Sequence, residues 1–106
     1  MRYTPTKTEK ELFTTILLLE TQDEVKRFLR DLLTEAEIKE FANRWKVAQM
    51  LDKKVAYKTI ENKTGMSSTT IARIQKWLIN GMNGYRNMLT KVKQNNQTGS
   101  THHLLM

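Results

Sequence analysis

The chain has 106 residues, 39% of them hydrophobic and 27% charged, with a formal net charge of +7. That length supplies one small domain with a modest core, which a core shared between two copies would supplement. The absence of cysteine excludes disulfides and thiolate chemistry, and one Pro with four Gly is too little turn chemistry for an all-β fold.

Met1–Lys7, with Pro5, reads as an arm that orders only on contact, and polar Met1–Glu11 lacks a signal-peptide pattern. Three helix starts then repeat one motif. Thr8-Glu9-Lys10-Glu11, Thr21-Gln22-Asp23-Glu24 and Thr34-Glu35-Ala36-Glu37 each spell a capping box. In it the Thr hydroxyl accepts from a first-turn N–H, and the Glu three residues on reaches back. Apolar residues follow at helical spacing. The first set is Leu12, Phe13, Ile16, Leu17 and Leu19, and the second is Val25, Phe28, Leu29 and Leu32. A third set, Ile38, Phe41, Ala42, Trp45, Ala48 and Leu51, predicts a helix reaching about Asp52, the longest of the chain and the centre of the core. The longest apolar run, Ile16-Leu17-Leu18-Leu19, is too short to cross a bilayer, so a cytoplasmic protein is expected.

After a charged joint at Lys53-Lys54-Val55, a short helix is predicted over about Ala56 to Thr64, with Ile60 facing inward. Gly65 is placed to stop it in the left-handed conformation. Ser67 or Ser68 caps the next helix, which carries Ile71, Ile74 and Leu78 and ends near Asn80-Gly81. A last helix, roughly Asn83 to Val92, carries Tyr85, Met88 and Leu89. Residues 94–106 read as a flexible polar tail, which leaves 1–93 as a single all-α domain of about six helices.

Charge is unevenly divided along the chain. Residues 1–52 hold nine Lys/Arg against ten Asp/Glu, whereas residues 53–93 hold nine against the lone Glu61. Positive charge gathered in one segment is what a surface that meets a polyanion requires, and nucleic acid is the expected polyanion.

The same segment holds the informative motif. Tyr57 to Ile74 reads as helix, tight turn at Gly65 and second helix, with Ile60, Met66, Ile71 and Ile74 as apolar anchors. Two short helices held at a fixed angle make a helix-turn-helix, whose second helix lies in the major groove of DNA. The DNA-reading part is expected over about 53–80, with Lys58, Ser67, Ser68, Thr69, Thr70, Arg73 and Lys76 as candidate DNA-binding residues. Ser68, Thr69 and Thr70 are small enough to bring the helix close to base edges, and their hydroxyls both donate and accept. The basic residues, with Lys53, Lys54 and Lys63 nearby, would hold phosphates. A Ser/Thr run at a helix start also serves as a cap, so capping competes with base reading for these hydroxyls.

Three stretches resemble the Trp repressor family. They are Leu33-Thr34-Glu35-Ala36-Glu37 followed by Arg44, then Ile60-Glu61-Asn62-Lys63-Thr64-Gly65, then Thr69-Thr70-Ile71-Ala72-Arg73. Gly81-Met82-Asn83-Gly84-Tyr85 is similar to the YerC/YecD-like branch of Trp-repressor-related proteins. The resemblance runs from about Phe13 to Leu89, and Glu61 departs from it by standing where a small residue is usual. It implies an intertwined all-α homodimer, with two reading helices about one DNA turn apart on a near-palindromic operator. Operator contacts carried largely by water are a property of that family itself.

In the tryptophan-binding members a Thr and an Arg on one helix, and an Arg on the reading helix, surround the effector. The resemblance puts Thr34, Arg44 and Arg73 in those places as candidate effector-binding residues. Guanidinium planes suit both an aromatic ring and a carboxylate. Ile74 and Trp77, however, stand where small residues leave room for the ligand, so a tryptophan-like corepressor is disfavoured and no cofactor is expected. Trp45 and Trp77 are instead expected to pack in a dimer core. His102-His103 are too few ligands for a metal site.

Residues 1–93 hold no Cys, no His, no Gly-rich phosphate loop and no metal-ligand cluster, and no catalytic role is expected. The sequence therefore predicts a bacterial DNA-binding transcriptional regulator, a repressor acting as a homodimer. The alternative is an adaptor whose helix-turn-helix docks a protein partner without specific DNA binding.

Overall fold

The computed structural model describes residues 2–104, with side chains described for 2–96. Six α-helices follow in order: α1 (Lys7–Ile16), α2 (Gln22–Leu32), α3 (Glu35–Asp52), α4 (Tyr57–Thr64), α5 (Ser68–Asn80) and α6 (Gly84–Leu104). No strand occurs among the described residues, and none of the described helices is long and apolar enough to cross a membrane. The chain forms two compact units, Arg2–Ala42 and the part from Asn43 onward.

In the N-terminal unit polar side chains set the helix starts. Thr21 Oγ1 accepts from the Glu24 N–H at 3.1 Å, while the Glu24 carboxylate accepts from the Thr21 N–H at 3.3 Å. Thr34 and Glu37 make the same pair at 3.1 and 2.9 Å. α1 departs from expectation, because its box is Thr6 with Glu9 and not Thr8 with Glu11. Both frames fit the pattern. The earlier one gains a hydrogen bond from the Tyr3 hydroxyl to the Glu9 carboxylate and a further helical bond from the Lys10 N–H to the Thr6 carbonyl at 2.9 Å. α1 also stops at Ile16, leaving Leu17 and Leu19 outside it. No residue from Arg2 to Ala42 is buried. Phe13, Ile16, Leu17, Leu18, Leu32 and Phe41 are exposed, Leu17 at 83%.

The core belongs to the second unit. Val47, Ala48, Met50 and Leu51 of α3 join Ile60 of α4, Ile71, Ile74 and Leu78 of α5, and Leu89 of α6. Val47 and Met50 lie outside the stripe anticipated for α3, and Phe41, which lies in it, is 52% exposed. α3 buries only its C-terminal half, where Val47 and Met50 join Ala48 and Leu51 of the anticipated stripe.

α3 ends in a Schellman motif: the Val55 N–H donates to the Met50 carbonyl at 3.0 Å and the Lys54 N–H to the Leu51 carbonyl at 3.0 Å. The residue at the left-handed position is Lys54, φ 63°, where Gly is the cheaper choice. Beside it, Asp52 ties α3 to α6. Its carboxylate meets Arg86 Nη1 at 3.1 Å and Lys93 Nζ at 2.7 Å, with the Asp52 side chain only 11% exposed.

α6, not α3, is the longest helix, and its backbone continues through 94–104 where a tail was expected. Tyr85 and Leu89 pack its first turns on the core, and beyond them each residue extends a helix already nucleated. No Pro stands in 93–104 to stop it. The side chains of His102 and His103, expected to be inert, lie outside those described.

The hydrogen bond to Lys93 and the two cations hold the Asp52 carboxyl below its ordinary value of 3.8, against a desolvation that pushes it up. A carboxyl depressed on folding stabilises the fold above about pH 4, and that stabilisation fades as pH falls through the folded value. Asp52→Asn should therefore destabilise the protein by about 1 kcal/mol at neutral pH, since both partners stay half exposed. Denaturant melts of the two proteins should converge as pH falls through the folded Asp52 value, and a deficit independent of pH would show that packing, not charge, holds the contact.

Candidate nucleic-acid interface

Gly65 makes the corner between α4 and α5. Its backbone sits at φ 72°, ψ 5°, and its N–H donates to the Glu61 carbonyl at 2.9 Å. A Cβ there would meet nothing within 4 Å, so the demand for Gly is conformational and not spatial. Thr64 ties the corner from inside: its hydroxyl donates to the Ile60 carbonyl at 2.7 Å and accepts from the Met66 N–H at 3.2 Å.

Ser67 then starts α5. Its Oγ accepts from the Thr70 N–H at 3.2 Å and donates to Thr70 Oγ1 at 3.1 Å. Of the four hydroxyl residues singled out from sequence, Ser67 and Thr70 thus serve the cap, and Thr70 is half-buried. Ser68 and Thr69 are exposed, and their hydroxyls have no partner among the described residues. Ile71, Ile74 and Leu78 bury the inner face of α5. Helical spacing turns Thr69, Ala72, Arg73 and Lys76 to the opposite side, where all four are exposed. Lys58, on the first turn of α4, is exposed as well.

The structure sorts the basic segment. Arg86 and Lys93 share the single carboxylate of Asp52, which offsets one of their two charges. Lys53, Lys54, Lys58, Lys63, Arg73, Lys76 and Lys91 are exposed and pair with no carboxylate among the described residues. Six of these seven lie on the α3–α4 joint, α4 and α5, so unpaired cations concentrate around the helix-turn-helix. Lys54, held at positive φ, is one of them.

The effector candidates are placed as follows. Thr34 is occupied as the α3 cap. Arg44 is half-buried and acts electrostatically on Tyr85, while Arg73 is exposed. A cavity of about 610 Å³ opens between Trp45, Trp77, Met82, Tyr85, Met88 and Val92, with Gly81 and Gly84 at its edge. Its wall is apolar, and neither Arg44 nor Arg73 belongs to it. Trp45 stacks on Tyr85 at a centroid distance of 6.4 Å and 18° between planes, and burial pushes the Tyr85 phenol up. Trp77 lines this cavity opposite no arginine of the effector set. Among the described residues no cluster of His, Cys, Asp and Glu could hold a metal ion.

Residues 7–93 match the family described as Trp repressor protein, a span wider at both ends than Phe13 to Leu89. The chain is 38% identical over 91 residues to the uncharacterized protein YerC of Bacillus subtilis (strain 168), covering 86% of this chain and 88% of that one. A TrpR-like protein from Eubacterium eligens ATCC 27750 has a crystal structure that superposes with a TM-score of 0.80 at 35% identity, over 83% of this chain and 91% of that chain. A Staphylococcus aureus protein assigned as a Trp repressor superposes with a TM-score of 0.79 at 35% identity, over 84% and 89% of the two chains.

The corner and the cap predict distinct costs. Gly65→Ala forces a Cβ into the left-handed region and should destabilise by about 1–2 kcal/mol. Ser67→Ala strips the α5 cap and should cost about 1 kcal/mol. Lys54→Gly should go the other way, gaining about 0.5–1 kcal/mol by relieving the left-handed lysine. Thermal or denaturant unfolding measures all three, and a neutral Gly65→Ala would refute the conformational account.

Proposed function

The chain belongs to the Trp repressor family, and from that premise we propose that it is a bacterial, cytoplasmic transcriptional repressor that binds a near-palindromic DNA operator as a homodimer. The carrying observation is the outer face of α5. It presents Ser68, Thr69, Ala72, Arg73 and Lys76 opposite the buried Ile71, Ile74 and Leu78, among cations that no carboxylate neutralises. The unpaired hydroxyls of Ser68 and Thr69 suit base edges. Ser67 and Thr70 fix where the helix starts and approach the groove with it, and Lys58, Arg73 and Lys76 suit phosphates.

The dimer rests on a second observation. The forty-odd residues of the N-terminal unit bury none of their own side chains, yet they carry six exposed large apolar residues. A small protein does not keep such a surface in water unless something covers it. A second copy supplies that cover, and the aromatic wall of Trp45 and Trp77 takes its place in the shared core. No corepressor is assigned, because Thr34 is spent on a cap and the arginines do not line the cavity.

Two measurements test this reading. Sedimentation should give a dimer, and Phe41→Ser should weaken it and lower the melting temperature by several degrees. On duplex DNA, phosphate contacts from Lys58, Arg73 and Lys76 of each protomer predict a log–log salt slope of about −5. Lys58→Ala should weaken binding to operator and random duplex alike and flatten that slope by about 2, one contact per protomer. Failure to bind duplex at low salt would sink the repressor and leave the protein-docking adaptor.

A further inference from the structure

The chemistry of the outer face of α5 narrows which base pairs it can read. From Ser67 to Lys76 the exposed side chains are the hydroxyls of Ser67, Ser68 and Thr69, the bare methyl of Ala72, and the cations Arg73 and Lys76. The stretch has no carboxylate, and its single amide residue, Gln75, is half-buried. Each base edge in the major groove asks for a different partner. Adenine takes a bidentate Asn or Gln, the cytosine amino group takes a carboxylate, guanine takes Arg or Lys, and thymine offers its C5 methyl to an apolar contact. Hydroxyls serve any of them, so they discriminate least.

This face therefore lacks the specific partners of adenine and cytosine and holds those of guanine and thymine. Thr69 and Ala72 are three apart on the helix, which makes their methyl groups neighbours on one side. The cap does not use Thr69, and neither residue enters the core. Two adjoining methyl groups, exposed at the start of the reading helix and flanked by cations, contribute nothing evident to the protomer's own folding.

We infer that Thr69 and Ala72 form a methyl-reading pair that requires a thymine at a fixed position in each operator half-site. The inference rests on the DNA-binding reading above. The experiment begins by selecting duplexes from a randomised pool with the full-length protein. Each thymine of the selected half-site is then replaced in turn by deoxyuridine, which removes the C5 methyl and nothing else.

At one thymine per half-site the replacement should weaken binding about fourfold, the value of one buried methyl group. Thr69→Ser, which keeps the hydroxyl and loses the methyl, should bind thymine and deoxyuridine duplexes nearly alike at that position. Ala72→Gly, with its helicity checked by circular dichroism, should do the same if the contact falls on Ala72. A selected half-site that tolerates deoxyuridine everywhere overturns the inference while leaving sequence-specific binding intact. Retention of the full deoxyuridine penalty by both variants overturns it in the same way. Recovery of no preferred sequence overturns the inference together with the reading on which it rests.

Discussion

Ile60, Ile71 and Ile74 are withdrawn from water on either side of Gly65, and this joint burial makes one rigid corner from two short helices. An isolated helix of eight residues, the length of α4, is marginal in water. Each isoleucine removed from solvent is worth about 1.5–3 kcal/mol, more than the roughly 1 kcal/mol of a helix cap. Packing therefore decides that the helices exist, and Gly65, Thr64 and Ser67 decide where they stop and start. The direction of the outer face follows from the same three isoleucines, because whatever α5 turns away from them it turns toward solvent. The hydroxyls and cations are held by apolar residues that lie inside the core.

The N-terminal unit presents the opposite balance. Its helix starts are well made, with reciprocal Thr–Glu bonds at Thr6, Thr21 and Thr34, yet it buries no side chain. Capping and propensity draw helices without supplying a core. A segment built in this way depends on burial supplied from elsewhere, so its stability is tied to protein concentration if that burial comes from a second copy.

What was legible in the sequence was local. The boxes at Thr21 and Thr34, the stop at Gly65 and the cap at Ser67 rest on contacts three or four residues long, and each is found where its residues stand. The helix-turn-helix was legible for the same reason, since Ile60, Ile71 and Ile74 fall within fifteen residues of one another. Less legible were features that depend on a register or a distant partner. The first box falls on Thr6 and Glu9 instead of Thr8 and Glu11, a frame that the Tyr3 hydroxyl and one more helical bond favour. Val47 and Met50 replaced Phe41 in the core because α3 packs by one half only. The division of labour among the hydroxyls was hidden too, since nothing in the run Ser67-Ser68-Thr69-Thr70 says which two close on each other. Nor does a sequence show that Asp52 meets Arg86 and Lys93, more than thirty residues away.

That last contact shapes the long-range field of the molecule. With Arg86 and Lys93 sharing one carboxylate, half of their charge is offset, and the uncompensated charge lies mainly around α4 and α5. A lopsided potential exerts a torque as well as a pull on a body diffusing near a charged rod. On the DNA-binding reading proposed above, the protein would thus be rotated, before contact, into the attitude in which α5 leads, and fewer collisions would be wasted on the wrong side.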